Sequence, residues 1–219
     1  MKAIPGTQLH AQNIFCIGRN YAEHAKELGN AVPTEPIVFL KPTSALCYDG
    51  EKILLPARST RVDHEVEIVV AIGRGGKNIS TADAPSHIGG LGVGIDFTAR
   101  DLQDKAKEKG LPWTLSKGFD TFAPISSFIA PPKDGADLAR LEIELTVNGE
   151  LRQKGSSAEM IFPIAKLIEY LSQNFTLSPG DLIFTGTPKG VAPLKSGDIC
   201  EARLAFPSQA QTTLKIKIF

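Results

Sequence analysis

Apolar residues in this chain fall mainly in short runs separated by Gly, Pro, Asn and Asp, the pattern of strands and turns rather than long helices. Ile14-Phe15-Cys16-Ile17, Ile37-Val38-Phe39-Leu40 and Ile53-Leu54-Leu55 read as buried strands. So do His64 to Ile72 and Leu91 to Asp96, which are rich in β-branched residues and Gly. Leu141, Ile143, Leu145 and Val147 alternate with Glu142, Glu144 and Thr146, and Asn148-Gly149 turns this strand into a hairpin with Leu151-Arg152-Gln153. Ser178-Pro179-Gly180-Asp181 and Ser196-Gly197-Asp198 are turns feeding strands, and Leu214, Ile216 and Ile218 mark a closing strand.

Helical spacing is rarer. A short helix is expected from Tyr21 to Leu28, stopped by Gly29-Asn30. A second is expected to start at a Ser80 or Thr81 cap and end near Ile88-Gly89-Gly90. A third covers Ala99 to Lys109, stopped by Gly110-Leu111-Pro112. Ser156-x-x-Glu159 resembles a capping box, but Pro163 would break a helix begun there. The fourth helix is therefore placed from Pro163 to about Asn174, with Ile164, Leu167, Ile168 and Leu171 inward. There is no βαβ rhythm, phosphate loop, long repeat or linker, so the expected fold is α+β, mainly β, in a single domain over residues 1–219.

Charge narrows the partners. Lys+Arg and Asp+Glu are both 24, giving zero net charge, and no basic block stands out. Nucleic acid and an anionic membrane are poor partners for such a chain. The three cysteines, Cys16, Cys47 and Cys200, are scattered without a C-x-x-C, which reads as small buried hydrophobes in a reducing compartment. The first residues lack the apolar core of a signal peptide, and no apolar run approaches the roughly 20 residues of a membrane span. A cytoplasmic location is expected.

Glu65 and Glu67 carry the candidate chemistry. On a strand they point the same way, with Val66 and Ile68 on the other face. Like charges side by side repel and lose hydration unless something offsets them. With Asp96 they would make an oxygen-only site, suited to magnesium, manganese or calcium rather than zinc. Two solvated glutamates on an exposed strand are the plain alternative. His24 and Glu27 are neighbours on the first helix, either a general base oriented by a carboxylate or an incidental surface pair. Arg100 and Gln103 share a helix face, to bind a substrate carboxylate and carbonyl or simply to face water. Lys117 alone is one more loop lysine. Thr185-Gly186-Thr187-Pro188-Lys189-Gly190 lets backbone N–H groups and Thr187 approach an anion, or is a tight turn.

Taken in order, these segments resemble the fumarylacetoacetate hydrolase family over nearly the whole chain. The resemblance rests on Gly18-Arg19-Asn20-Tyr21-Ala22-Glu23-His24, Phe39-Leu40-Lys41-Pro42, His64-Glu65-Val66-Glu67 and Asp96-Phe97-Thr98-Ala99-Arg100-Asp101-Leu102-Gln103. It continues through Gly110-Leu111-Pro112-Trp113-Thr114-Leu115-Ser116-Lys117, Val147-Asn148-Gly149-Glu150 and Thr185 to Gly190. It implies a β-roll of packed mixed sheets, usually dimeric, so a homodimer is expected. It also implies magnesium or manganese held by Glu65, Glu67 and Asp96, a His24–Glu27 dyad on a lid helix, and a catalytic Lys117. Arg19, Arg100, Gln103, Gly186 and Thr187 become substrate contacts. The wording is most similar to the short branch of acylpyruvate hydrolases and oxaloacetate decarboxylase/tautomerases. Two-domain members carry a further acidic ligand before the histidine, but Ile14 to Tyr21 holds no acid, so a three-carboxylate site is expected.

The activity so implied is carbon–carbon hydrolysis of an acylpyruvate, a small 2-oxo acid, to pyruvate and a carboxylic acid. His24 would activate water, and Lys117 would help to stabilise a pyruvate enolate. The alternatives are decarboxylation or enol–keto tautomerisation of oxaloacetate, or isomerisation or decarboxylation of a related 2-oxo acid in aromatic catabolism. A third class is a metal-stabilised scaffold without catalysis.

Overall fold

A computed structural model describes residues 2–27, 31–132, 135–207 and 210–219. The chain opens with β1 (Ile14–Gly18), α1 (Ala22–Glu27), β2 (Ile37–Lys41), β3 (Leu46–Tyr48) and β4 (Lys52–Ile53). Then follow β5 (Val62–His64), β6 (Val66–Ile72), β7 (Ile88–Ile95), β8 (Thr98–Ala99), α2 (Arg100–Glu108), α3 (Thr114–Lys117) and β9 (Ala123–Ile125). The last part comprises β10 (Glu142–Val147), β11 (Glu150–Ser156), α4 (Ile164–Asn174), β12 (Leu182–Phe184), β13 (Ala192–Leu194), β14 (Ile199–Ala205) and β15 (Gln211–Ile218). The fold is mostly β, with mixed sheets and few helices, as the short apolar runs predict.

A seven-stranded sheet runs β2-β1-β12-β6-β7-β9-β3, with parallel β1–β12 and β3–β9 pairs among antiparallel ones. A five-stranded sheet runs β11-β10-β14-β15-β4, and a three-stranded one β13-β5-β8. Strand β6 is buried along its whole length. Val66, Ile68, Val70 and Ile72 join the larger core, shared with the five-stranded sheet and with Ile164, Leu167, Ile168 and Leu171 of α4. Val69 and Ala71 face a second core with Cys16, Leu182 and Phe184. Burial on both faces explains why this run reads as continuously apolar, interrupted only by Glu67. The hairpin at Asn148-Gly149 has positive φ at both residues (54° and 81°), the geometry of a two-residue primed turn.

Several boundaries differ from expectation. The Ser80-capped helix does not form. Ser80 Oγ donates to Asp83 in a turn, a 3₁₀ segment covers Ala84–His87, and β7 already begins at Ile88. Pairing explains this: Ile72 lies opposite Ile88 and Ala71 opposite Gly90, so ladder hydrogen bonds with β6 override local helix propensity. The expected β4 run shortens to Lys52–Ile53. The Ser156/Glu159 capping box is real but closes only a 3₁₀ turn, Ser157–Glu159, with Pro163 then capping α4. Helix α1 is described to Glu27, and the expected stop at Leu28, Gly29 and Asn30 lies outside the described residues.

The entry to β7 depends on a backbone approach without side chains. A Cβ on Gly73 would lie 2.6 Å from the Gly89 Cα. Gly73→Ala should therefore destabilise the protein by about 1–3 kcal/mol, the usual cost of overpacking. A urea midpoint equal to wild type, at equal slope, would contradict this close contact.

Candidate active site

Register brings the carboxylates together. Val66 lies opposite Ile95 in the antiparallel β6–β7 pair, and one step further the Asp96 N–H donates to the Glu65 carbonyl at 2.8 Å. Opposed residues share a face, as do residues two apart on one strand. Asp96 thus joins Glu65 and Glu67. Glu65 sits in the break between β5 and β6 rather than inside one continuous strand, yet its side chain keeps the expected direction. One carboxylate oxygen from each of the three lies within 4.8 Å of the others, and all three residues are buried. They are not solvated surface glutamates.

Buried cations surround two of the three. Lys117 Nζ, on the one-turn helix α3, lies 2.9 Å from Glu65 Oε2 and 2.5 Å from Asp96 Oδ2. The Arg100 guanidinium donates to Asp63 (2.8 Å), Gln103 (2.6 Å) and Glu65 (2.5 Å). Burial alone would raise the Glu65 pKa, but Lys117 and Arg100 pull it below the ordinary carboxylate range. Burial would likewise lower the Lys117 pKa, and Asp96 and Glu65 hold it above its usual value. Glu67 is different. Its Oε2 accepts the Gly186 N–H at 2.6 Å, and no described cation pairs with it. Burial, then the charges of Asp96 and Glu65, push its pKa well above the usual range.

Lys41 sharpens the contrast. Its ammonium donates to the carbonyls of Phe97 (3.1 Å), Lys117 (2.5 Å) and Phe122 (2.8 Å). Those bonds use its three protons. It therefore offers charge to Asp96 Oδ1, 2.7 Å away, while that oxygen is left without a hydrogen bond. A buried oxygen with free lone pairs beside an uncompensated carboxylate is the environment a hard dication relieves. The donor set fits magnesium or manganese, with Glu65, Glu67 and Asp96 as the residues that would hold it.

The remaining candidates converge on the same cavity. His24, Arg19, Arg100, Gln103, Lys117 and Thr187 line it together with the three carboxylates. His24 is buried, with Nδ1 3.3 Å from Glu27 Oε2, so Nε2 is the nitrogen left for a substrate. Glu27 is held in turn by the Gly190 N–H at 3.1 Å. Arg19 takes a left-handed backbone (φ 58°), uncommon for a bulky residue, where β1 turns toward α1. Gly186 also has positive φ (97°), and a Cβ there would meet the Asn20 side chain at 2.7 Å.

Two placements differ from the sequence reading. Both Arg100 and Gln103 line the cavity, but the Arg100 guanidinium is engaged by Asp63, Glu65 and the Gln103 carbonyl oxygen, which makes Arg100 a support for Glu65. Gly186 acts on Glu67 and stands behind the cavity wall. Four further residues were not singled out for the site: Lys41, Asp63, Asn20 and Gln153. Asp63 bridges Arg61 and Arg100. Asn20 donates to the Thr185 and Phe162 carbonyls, tying α1 to the Thr185–Gly190 turn. Lys41 had a signal, a charge closing an otherwise apolar strand.

Comparison with known proteins identifies the family of the chain. The family described as fumarylacetoacetate (FAA) hydrolase C-terminal matches residues 13–215. The chain is 47% identical to the mitochondrial oxaloacetate tautomerase of Homo sapiens over 87% of its own length and 86% of the relative's. It is 48% identical to the mitochondrial oxaloacetate decarboxylase of Dictyostelium discoideum, over 86% of each chain. The fumarylpyruvate hydrolase of Pseudomonas aeruginosa, solved in complex with Mn²⁺ and pyruvate, superposes with a TM-score of 0.87 at 34% identity, covering 100% of this chain and 97% of that one. No described helix is long and apolar enough to cross a membrane. On the family match and on identities near one half over most of the chain, this protein belongs to the fumarylacetoacetate hydrolase family.

Proposed function

We propose that this protein is a divalent-metal-dependent enzyme of 2-oxo acid enol chemistry, with oxaloacetate as substrate for keto–enol exchange and decarboxylation. The observation that carries this reading is the buried carboxylate cluster, in which, among the described residues, Glu67 has no cation partner and Asp96 Oδ1 no hydrogen bond, facing His24 and Lys117 across one cavity. Glu65, Glu67 and Asp96 would hold Mg²⁺ or Mn²⁺. When bound, the metal supplies Lewis-acid stabilisation of negative charge developing on the 2-oxo oxygen.

The chain's own groups do the rest. His24 Nε2 takes a proton from C3 of the keto acid, leaving an enolate whose oxygen takes a proton from solvent to complete the enol. In the reverse direction the oxygen loses its proton and His24 returns one to C3, while Glu27 fixes the ring through Nδ1. The Lys117 ammonium, held charged by Glu65 and Asp96, adds positive potential where the enolate forms. Arg19 and Thr187 receive the carboxylate ends. Four buried carboxylates (Asp63, Glu65, Glu67, Asp96) face three buried cations (Lys41, Arg100, Lys117), so a dication leaves the site net positive for a dianionic substrate.

Acylpyruvate hydrolysis is the second reading, favoured by the His24–Glu27 dyad, which could equally take a proton from water. Relatives 47% and 48% identical are named an oxaloacetate tautomerase and an oxaloacetate decarboxylase, against 34% for the fumarylpyruvate hydrolase, which supports the first. The deciding assay compares kcat/KM for oxaloacetate, acetylpyruvate and fumarylpyruvate with saturating Mg²⁺. Oxaloacetate should lead. Faster cleavage of either acylpyruvate would favour hydrolysis, and no turnover of any of them would end both readings.

A further inference from the structure

The side chain of Gln153 is almost wholly buried, on β11 of the five-stranded sheet, yet it reaches into the wall of the candidate site. Its Oε1 accepts the Val66 N–H at 3.0 Å and lies 2.9 Å from His64 Nδ1. Its Nε2 donates to the Pro188 carbonyl and to Thr187 Oγ1, both at 2.8 Å. A backbone N–H can only donate and a carbonyl can only accept. The two ends of the amide are therefore fixed independently, and the side chain has one possible orientation.

The consequence falls on Thr187. Both Nε2 protons are used, one on Pro188 and one on Thr187 Oγ1, so the Thr187 oxygen is an acceptor toward Gln153. Among the described residues, no acceptor takes the Thr187 hydroxyl proton. Thr187 lines the cavity, so that proton is free for a ligand there. The framework is rigid. A Cβ on Gly155 would meet Pro188 at 2.7 Å, and one on Gly190 would meet the Arg152 carbonyl at 2.2 Å, so β11 and the Thr185–Gly190 turn are in direct contact. We infer that Gln153 is a positioning residue for substrate recognition: it commits Thr187 to act as a hydrogen-bond donor, which selects a carboxylate at that end of the cavity.

This inference rests on the 2-oxo acid reading, and the test separates the two. The probe is pyruvate, titrated by calorimetry into Mn²⁺-loaded wild type, Gln153→Glu, Thr187→Val and the double variant. In Gln153→Glu the shape and the acceptor for Val66 are kept. The group facing Thr187 becomes an acceptor, which draws the hydroxyl proton away from the cavity. Loss of a hydrogen bond to a charged group should weaken pyruvate binding roughly tenfold to a hundredfold in each single variant. KM for oxaloacetate should rise in proportion with kcat little changed, because binding is lost equally in ground and transition states. The double variant should be no worse than Thr187→Val, since Gln153 acts through Thr187. Mn²⁺ affinity should stay at the wild-type value.

Unchanged pyruvate affinity in Gln153→Glu would overturn the inference. So would additive losses in the double variant, or a joint fall in kcat and Mn²⁺ affinity with KM unmoved, the mark of a merely structural role. If Gln153→Glu does not melt cooperatively, Gln153→Met takes its place. There the Thr187 hydroxyl loses the donor that commits its proton to the cavity, and pyruvate should bind about tenfold more weakly. Wild type that fails to bind pyruvate at all would refute the 2-oxo acid reading itself, and this inference with it. Wild type that binds pyruvate beside a variant that binds it equally well refutes the inference alone.

Discussion

Asp96→Ala should abolish Mn²⁺ binding and the metal-dependent activity with it. Asp96 supplies a buried carboxylate oxygen that no hydrogen bond satisfies among the described residues, and two remaining glutamates cannot enclose a cation from one side. Affinity should fall by more than the roughly 10–100-fold that loss of an outer-shell partner costs a metal site. The substitution also strips a partner from Lys41 and from Lys117, and breaking a buried ion pair costs about 3–5 kcal/mol. Asp96→Asn therefore belongs beside it: it keeps the shape, removes the charge, and should lose Mn²⁺ with a smaller loss of stability. Calorimetric titration with Mn²⁺ and a urea melt on each variant separate the two effects. Mn²⁺ bound at wild-type affinity by either variant would show that the cation sits elsewhere.

His24→Ala is expected to divide the reactions that the site could support. Keto–enol exchange and acylpyruvate hydrolysis both need a proton moved by a base, and each should fall by roughly 10²–10⁴-fold, the usual worth of general acid–base catalysis. Oxaloacetate decarboxylation needs no proton removed before the C–C bond breaks, so it should fall less. Mn²⁺ affinity should hardly change, because His24 is not among the three converging carboxylates. The ratio of tautomerisation to decarboxylation, at one pH and saturating Mg²⁺, reads this directly. Equal losses in both would mean that His24 acts by closing the cavity rather than as the base. No loss in either would place the base elsewhere.

The parts of this site legible in the sequence are those fixed by local periodicity. Period-two alternation put Glu65 and Glu67 on one face, and it survives the strand break at Glu65 because both segments stay extended. The inward face of α4 was equally readable from its 3.6-residue spacing. Long-range contacts were not. Gln153 lies in a different sheet and meets Val66 and Thr187 only through packing of β11 against the site, which no local pattern announces. Lys41 looked like the end of a strand, whereas three carbonyls from separate segments make it a buried cation. The 80–90 segment failed for the opposite reason. Its caps and spacing suit a helix, and pairing of Ile88 and Gly90 with β6 outweighs them.

The most direct test of a metal-dependent enol chemistry is reconstitution. Protein treated with chelator and dialysed is titrated with Mn²⁺ while oxaloacetate ketonisation and carbon dioxide release are followed together. Both activities should be absent at the start and return in step, saturating at one Mn²⁺ per chain, with Mg²⁺ able to substitute. Full activity in excess chelator, or Mn²⁺ binding at the site without any return of activity on oxaloacetate, would contradict it.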